Sequence, residues 1–226
     1  MRRMLTGISS MATKALLADL AAAFERQHGV AVTIESVGGV DAARRVMAGE
    51  AFDIVVLAAD AIAKLAEAGR VTAATPLVRS EVAIAVKRGA ARPDVGSEEA
   101  LKRAVLGATT IGYSTGPSGT ALAKLFERWG IAETIGPRIV TPPPGTPVGA
   151  LVARGEIELG FQQRSEMMSL PGIDVIGPMP PQVPIVTVFT GALGARSARA
   201  AGLLAFLASR EAHDTIRRHG MEPHAS

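Results

Sequence analysis

The sequence predicts an α/β protein made of two consecutive strand–helix runs, and three observations carry this. Apolar segments of buried-strand type alternate with amphipathic helical segments through short loops, the pattern of mostly parallel sheets with right-handed crossovers. The stretch Phe52-Asp53-Ile54-Val55-Val56-Leu57 is almost continuously apolar, as a strand covered on both faces must be. The loop Arg88-Gly89-Ala90-Ala91-Arg92-Pro93-Asp94 interrupts the alternation before it resumes, and no low-complexity linker joins the two runs.

The first run opens with a short apolar strand ending at Ile8. A helix follows over 12–27, where Leu16, Leu17, Leu20 and Phe24 recur at helical spacing, Ser9, Ser10 and Thr13 are N-cap candidates, and Gly29 closes the segment. Residues 30–34 form the second strand, Gly38-Gly39 leads into a helical stretch over 41–47, and 52–57 is the third strand. Asp60 opens a helix that ends at Gly69, and 82–86 is an apolar strand. In the second run Ser97 caps a helix to Val105, 110–113 is a strand, and Ser114-Thr115-Gly116-Pro117-Ser118-Gly119 leads into a helix ending near Trp129-Gly130. Ile139-Val140, the turn Pro142-Pro143-Pro144-Gly145-Thr146, a helix to Arg154 and a strand over 157–161 continue the pattern. A late strand over 186–190 precedes helices over 198–208 and 211–218, and periodicity leaves open whether it completes the second lobe or returns to the first.

Composition narrows the function. The chain has 226 residues, 48% hydrophobic and 20% charged, with mean hydropathy +0.26, so it packs a core rather than remaining disordered. Lys+Arg 24 against Asp+Glu 21 leaves a net charge of only +3, and aromatic residues are 4% with one Trp and one Tyr; nucleic acid is not an expected partner. The absence of cysteine excludes disulfides, thiolate metal sites and thiol nucleophiles. His28, His213, His219 and His224 lack metal-ligand spacing, and neither a Walker motif nor a G-x-G-x-x-G fingerprint occurs, so no cofactor and no metal is expected. Met1-Arg2-Arg3 imitates a signal peptide, but its apolar stretch stops at Ser9-Ser10 and Lys14 and Asp19 follow. The chain as it stands therefore reads as cytoplasmic, and as periplasmic if a leader has been removed or lies upstream. No apolar run approaches the roughly 20 residues of a membrane helix.

In open α/β sheets ligands sit beyond the carboxyl ends of the strands, which selects the loops after Ile8, Val37, Leu57, Tyr113, Val140 and Phe161. Ser9, Ser10 and Met11 combine hydroxyls with a helix N-terminus, a natural anion site. Ser118, Gly119 and Thr120 repeat that combination in the second run, while Gly38, Gly39 and Ala58 leave space at the first sheet edge and Thr146 stands in the proline turn. Ordinary caps and turns account for the same residue types. Arg79 suits bidentate capture of a carboxylate or phosphate, or equally a surface ion pair with Glu81. The polar run Gln162-Gln163-Arg164-Ser165-Glu166 after a strand end offers amides to a polar ligand and a carboxylate as a base, or else is a solvated loop.

Five segments resemble the type II periplasmic binding proteins, in the branch of the molybdate-binding proteins of ABC importers. They are Ala22-Ala23-Phe24-Glu25-Arg26-Gln27-His28-Gly29-Val30, the stretch 49–58 ending Ile54-Val55-Val56-Leu57-Ala58, the stretch 77–86 beginning Leu77-Val78-Arg79-Ser80-Glu81-Val82, the run 152–163 ending Gly160-Phe161-Gln162-Gln163, and the stretch 171–178 beginning Pro171-Gly172-Ile173-Asp174-Val175. The resemblance implies a two-lobed fold in which each lobe is a mostly parallel sheet flanked by helices. Residues 1–82 and 187–226 form one lobe, 83–186 the other, and two crossing strands act as the hinge. It further implies a ligand in the cleft, an ABC importer permease as partner and a monomer. Molybdate binders carry serine where this chain has Gly38-Gly39, and a tyrosine near Gln163 that is absent here, which favours an organic carboxylate over a molybdate-type oxyanion. Arg79 and Gln162-Gln163 are similar to the subgroup that includes aconitate isomerase. Two functions follow: binding of a small anionic solute, the favoured one, and cofactor-free isomerisation of a tricarboxylate in the same cleft with Glu166 as the base.

Overall fold

In the computed structural model, which describes residues 4–143 and 145–224, the chain begins in β1 (Met4–Ser10) and passes through a 3₁₀ turn into α1 (Lys14–His28). The Met1-Arg2-Arg3 motif and Pro144 of the proline turn lie outside the described residues. The chain continues through β2 (Ala31–Val37), α2 (Gly39–Met47), β3 (Ile54–Ala58) and α3 (Ala59–Glu67) into the 17-residue β4 (Val71–Lys87). The second run comprises α4 (Glu98–Gly107), β5 (Ile111–Tyr113), α5 (Pro117–Arg128), α6 (Ala132–Ile135), β6 (Ile139–Val140), α7 (Val148–Arg154), β7 (Leu159–Gln163), α8 (Arg164–Met167) and β8 (Ile173–Pro178). The chain ends with β9 (Val186–Gly194), α9 (Ala201–Leu207), α10 (His213–Arg218) and β10 (Glu222–Pro223). It divides into two compact units, one formed by residues up to Ser80 and from Thr187 onward, the other by Glu81–Val186.

In the first unit β1 lies between β2 and β3, parallel to both, and β9 pairs antiparallel with β3, Leu57 opposite Thr190. Pairing with β3 places the late strand in the first unit, which periodicity left open. Helices cover both faces of this sheet because β3 is apolar on both. Ile54 and Val56 pack with Leu16, Leu17, Leu20 and Phe24 of α1 and Leu203, Leu204 and Leu207 of α9. Val55 and Leu57 pack with Val46 of α2 and Ile62 and Leu65 of α3. Each such side chain contributes roughly 1.5–3 kcal/mol on burial. Gly29 stops α1 in the left-handed conformation at φ 67°, which glycine adopts without strain.

In the second unit β5 lies between β6 and β7, parallel to both, and the second half of β4 pairs antiparallel with β7 and β8. Alternation along β4 again supplies two cores. Val82, Ile84 and Val86 pack with Leu101, Leu122 and Phe126, while Ala83 and Ala85 face Val148, Leu151 and Val152 of α7 and Met167 of α8.

Three local expectations are corrected. Ser9 and Ser10 belong to β1 rather than to a capping loop, because the ladder to β2 extends to Ser10 opposite Val37. Neither caps a helix: the Ser9 hydroxyl meets Ser36 Oγ at 2.8 Å, and the Thr13 hydroxyl donates to the Ser10 carbonyl. Arg79 lies inside β4 instead of before a strand over 82–86, since β10 pairs with that first half and Glu222 stands opposite Arg79. Gln162 and Gln163 are strand residues of β7, held by pairing with Ala83 and Val82, rather than a loop after it.

Asp53 ties the start of β3 to its surroundings. Burial raises its pKa, but hydrogen bonds from the Ser197 hydroxyl and the Thr6 N–H, the charge of Arg199 and the Thr6 hydroxyl together hold it below the ordinary carboxylate value. A carboxyl with a lowered folded value stabilises the fold above its unfolded pKa and loses that contribution as pH falls through the folded one. Asp53→Ala is therefore expected to lower stability by about 2–4 kcal/mol at pH 7 and to flatten the loss of stability below pH ~4, read by urea unfolding.

Candidate functional site

At the carboxyl edge of the first unit, β1, β2 and β3 end side by side and the next turn of helix begins after each. α2 starts from Gly38 and α3 from Ala58 without a side-chain cap, so no capping side chain satisfies their first-turn amides. Ser10 is buried, its hydroxyl has no hydrogen-bond partner among the described residues, and a Cβ placed on Gly39 would sit 3.5 Å from its Cβ. Ser10, Gly38, Gly39 and Ala58 are thus brought together at this edge, with Ser9 behind them on Ser36 and Met11 in the following 3₁₀ turn. Thr190, opposite Leu57 on β9, adds a second buried hydroxyl without a partner among the described residues, and the Ser80 hydroxyl of β4 is likewise unpartnered among them. Sequence patterns give no signal for Ser36, Ser80 or Thr190, since a hydroxyl within a strand has no local signature.

The second unit repeats the arrangement where β5, β6 and β7 end. α5 begins at Pro117 after Gly116, again without a side-chain cap, and Ser118 is buried with its hydroxyl 3.2 Å from Ser114 Oγ. Gly119 is required here: a Cβ at this position would lie 1.6 Å from the Ser114 carbonyl oxygen. Thr120 departs from the expectation. Residues two apart on a helix face apart, so Thr120 is exposed while Ser118 is buried, and its hydroxyl donates back to the Gly116 carbonyl at 3.3 Å. Thr146, half-buried before α7, donates its backbone N–H to the Pro143 carbonyl. Tyr113, at the end of β5, has its phenol pKa raised by burial and packs edge-on to Phe126.

Gln162 and Glu166 form the most chemically distinctive pair. The Gly149 N–H in the first turn of α7 donates to Gln162 Oε1 at 3.1 Å, and Gln162 Nε2 donates to Glu166 Oε1 at 3.0 Å. Burial pushes the Glu166 carboxyl up, the Gln162 bond opposes this, and the result is about 7. A carboxyl poised there gains and loses a proton at neutral pH. Arg79 is exposed on β4 opposite Glu222 and without an ion pair among the described residues, so the pair with Glu81 does not form. No cluster of three or more metal-ligating side chains occurs among the described residues, and no helix there is long and apolar enough to cross a membrane.

Residues 5–222 match the family model of the bacterial extracellular solute-binding proteins. The chain belongs to this family. A relative within reach by sequence is the aconitate isomerase of a Pseudomonas species, 35% identical over 97% of this chain and 87% of that protein. The fold is that of the periplasmic molybdate-binding protein of Azotobacter vinelandii, with TM-score 0.77, 19% identity, and coverage of 96% of this chain and 98% of that one. It is also that of the sulfate-binding protein of Mycobacterium tuberculosis, with TM-score 0.76, 16% identity, and coverage of 99% and 88%. In this solute-binding chain, as its α/β topology requires, each unit therefore offers a strand-end edge rich in amides and hydroxyls.

Proposed function

We propose that this solute-binding protein takes a small organic polycarboxylate. The observation that carries the reading is the pairing of uncapped helix N-termini with the buried, partnerless Ser10 and Thr190 hydroxyls, donors without an acceptor of their own. Gly38-Gly39 in place of hydroxyl side chains favours a larger anion than a tetrahedral oxyanion, and the exposed guanidinium of Arg79 is available to a further carboxylate. The extracellular character of the family supports a membrane importer as its partner. Calorimetry with trans-aconitate, tricarballylate, molybdate and sulfate tests this. The tricarboxylates are expected to bind, with affinity falling tenfold to a thousandfold in Arg79→Ala. Binding of molybdate or sulfate alone overturns it.

Glu166 favours a second reading, in which the bound polycarboxylate is also isomerised, as the name of the Pseudomonas relative implies for that protein. The Glu166 carboxylate removes a proton from the methylene carbon next to the double bond of aconitate, leaving an allylic carbanion that the neighbouring carboxylates stabilise. Returning the proton at the other allylic carbon restores the alkene with the opposite geometry, so the step needs no oxidant, reductant or metal. Binding of aconitate without turnover or solvent exchange would leave the first reading alone.

A further inference from the structure

We infer that Gln162 is a positioning residue that orients the Glu166 carboxyl and fixes its exchangeable proton on Oε2. This rests on the reading of Glu166 as a proton-transfer group, and its starting point is the direction of two hydrogen bonds. A backbone N–H only donates, so the Gln162 atom facing Gly149 is its oxygen, and its NH₂ must then face Glu166. Glu166 Oε1 is therefore an acceptor in either protonation state. The proton that titrates is left to Oε2, the oxygen turned away from Gln162.

Close packing makes this relay rigid. A Cβ on Gly160 would meet Val152 Cγ2 at 2.4 Å, so α7 sits tightly on β7, and one on Gly149 would meet Leu170 Cδ1 at 2.5 Å, so α7 also sits tightly on the segment after α8; its first-turn amide reaches Gln162. Met167, buried among Val148, Leu151 and Ile173, pins α8, which carries Glu166. The charged groups on the surrounding elements of this unit are engaged or exposed. Asp174 of β8 is bound by Arg92 and the Gly89 N–H, Arg154 of α7 pairs with Glu156, β7 carries no charge, and Arg164 of α8 is exposed. Among the described residues, the Gln162 amide donates to Glu166 and favours its ionised form.

Carbon-13 NMR of the Glu166 carboxyl in the intact protein tests this against Gln162→Met, which keeps the length of the side chain and removes the amide. The Glu166 midpoint is expected to move upward by about one pH unit, a tenfold change in its acid constant, because the bond that favours the ionised form is gone. A midpoint that stays in place or moves down in a folded variant overturns the proposal. Wild-type protein gives an independent measure should that variant not fold. The Gln162 Nε2 resonances are expected to shift with the same midpoint as Glu166, and to lose the inflection in Glu166→Gln. Resonances that stay flat between pH 5 and 9 overturn the relay. Shifting resonances in a protein that shows no solvent exchange with aconitate keep the relay and remove the isomerase reading.

Discussion

In deuterium oxide, Glu166→Gln is expected to stop incorporation of deuterium into aconitate while the protein still binds it. Glutamine keeps the shape of the side chain and the acceptor oxygen that meets Gln162 Nε2, but it cannot take a proton. Loss of a general base lowers turnover by roughly 10²–10⁴-fold, and the loss should fall on kcat with the dissociation constant changed by less than about threefold. For the wild-type protein, a base with a pKa of about 7 makes the rate rise with pH through neutrality and level off above it. Stability moves the other way. The folded carboxyl holds its proton more tightly than the unfolded one, so its contribution to stability is most favourable at acid pH and falls as pH rises from 4.5 to about 7, by no more than about 3 kcal/mol. Glu166→Gln should remove that slope, giving a protein more stable than wild type at pH 8.5 and nearly equal to it at pH 4.5 in urea unfolding. Turnover that survives the substitution would move the base elsewhere, and an unchanged slope would contradict the buried setting of Glu166.

Gly119→Ala is expected to be among the most destabilising single-methyl additions in the chain. Its Cβ would fall 1.6 Å from the Ser114 carbonyl oxygen, inside backbone rather than against a movable side chain, so the turn into α5 must shift. Overpacking of this kind typically costs 1–3 kcal/mol and here should reach or exceed the upper end, which for a protein of this size is a fall in Tm of about 6–12 °C. The same shift separates Ser114 from Ser118 and displaces the α5 N-terminus, so anion affinity should fall with stability. Gly107→Ala is the control. Nothing lies within 4 Å of a Cβ there, at the exposed end of α4, and alanine should leave Tm unchanged or raise it slightly. Equal Tm values for the two variants would contradict the close approach at Gly119.

The strand–helix alternation and the helix faces were legible because they depend on local period. Leu16, Leu17, Leu20 and Phe24 announce α1 wherever the rest of the chain goes, and the apolar run through Ile54 to Leu57 announces a strand covered on both sides. Ser97, an expected cap, does accept the Ala100 N–H. The first half of β4 was illegible for the same reason: Thr72, Ala73, Ala74 and Pro76 have no strand-like apolar run, and among its residues only Val78 and Arg79 are paired with the distant β10. β8 and the extent of β7 through Gln163 likewise follow from ladders to β4 rather than from composition.

The candidate site divides along the same line. Glycine-rich and hydroxyl-rich loops at strand ends made Ser10, Gly38, Gly39, Ser118, Gly119 and Glu166 candidates from residue type and position in the repeat, because helix N-termini and small residues carry their chemistry locally. Which hydroxyls are left without a partner, and which are used up, is a matter of register. Ser9 is engaged because β1 and β2 align it with Ser36, Thr120 because it turns back on its own helix, and Ser10 and Thr190 are left over. Residue types determined that a carboxylate would stand after β7. Only the packing of α7 on β7 decided that Gln162 would face it and that burial would raise its pKa, because desolvation and hydrogen-bond direction are properties of the assembled chain.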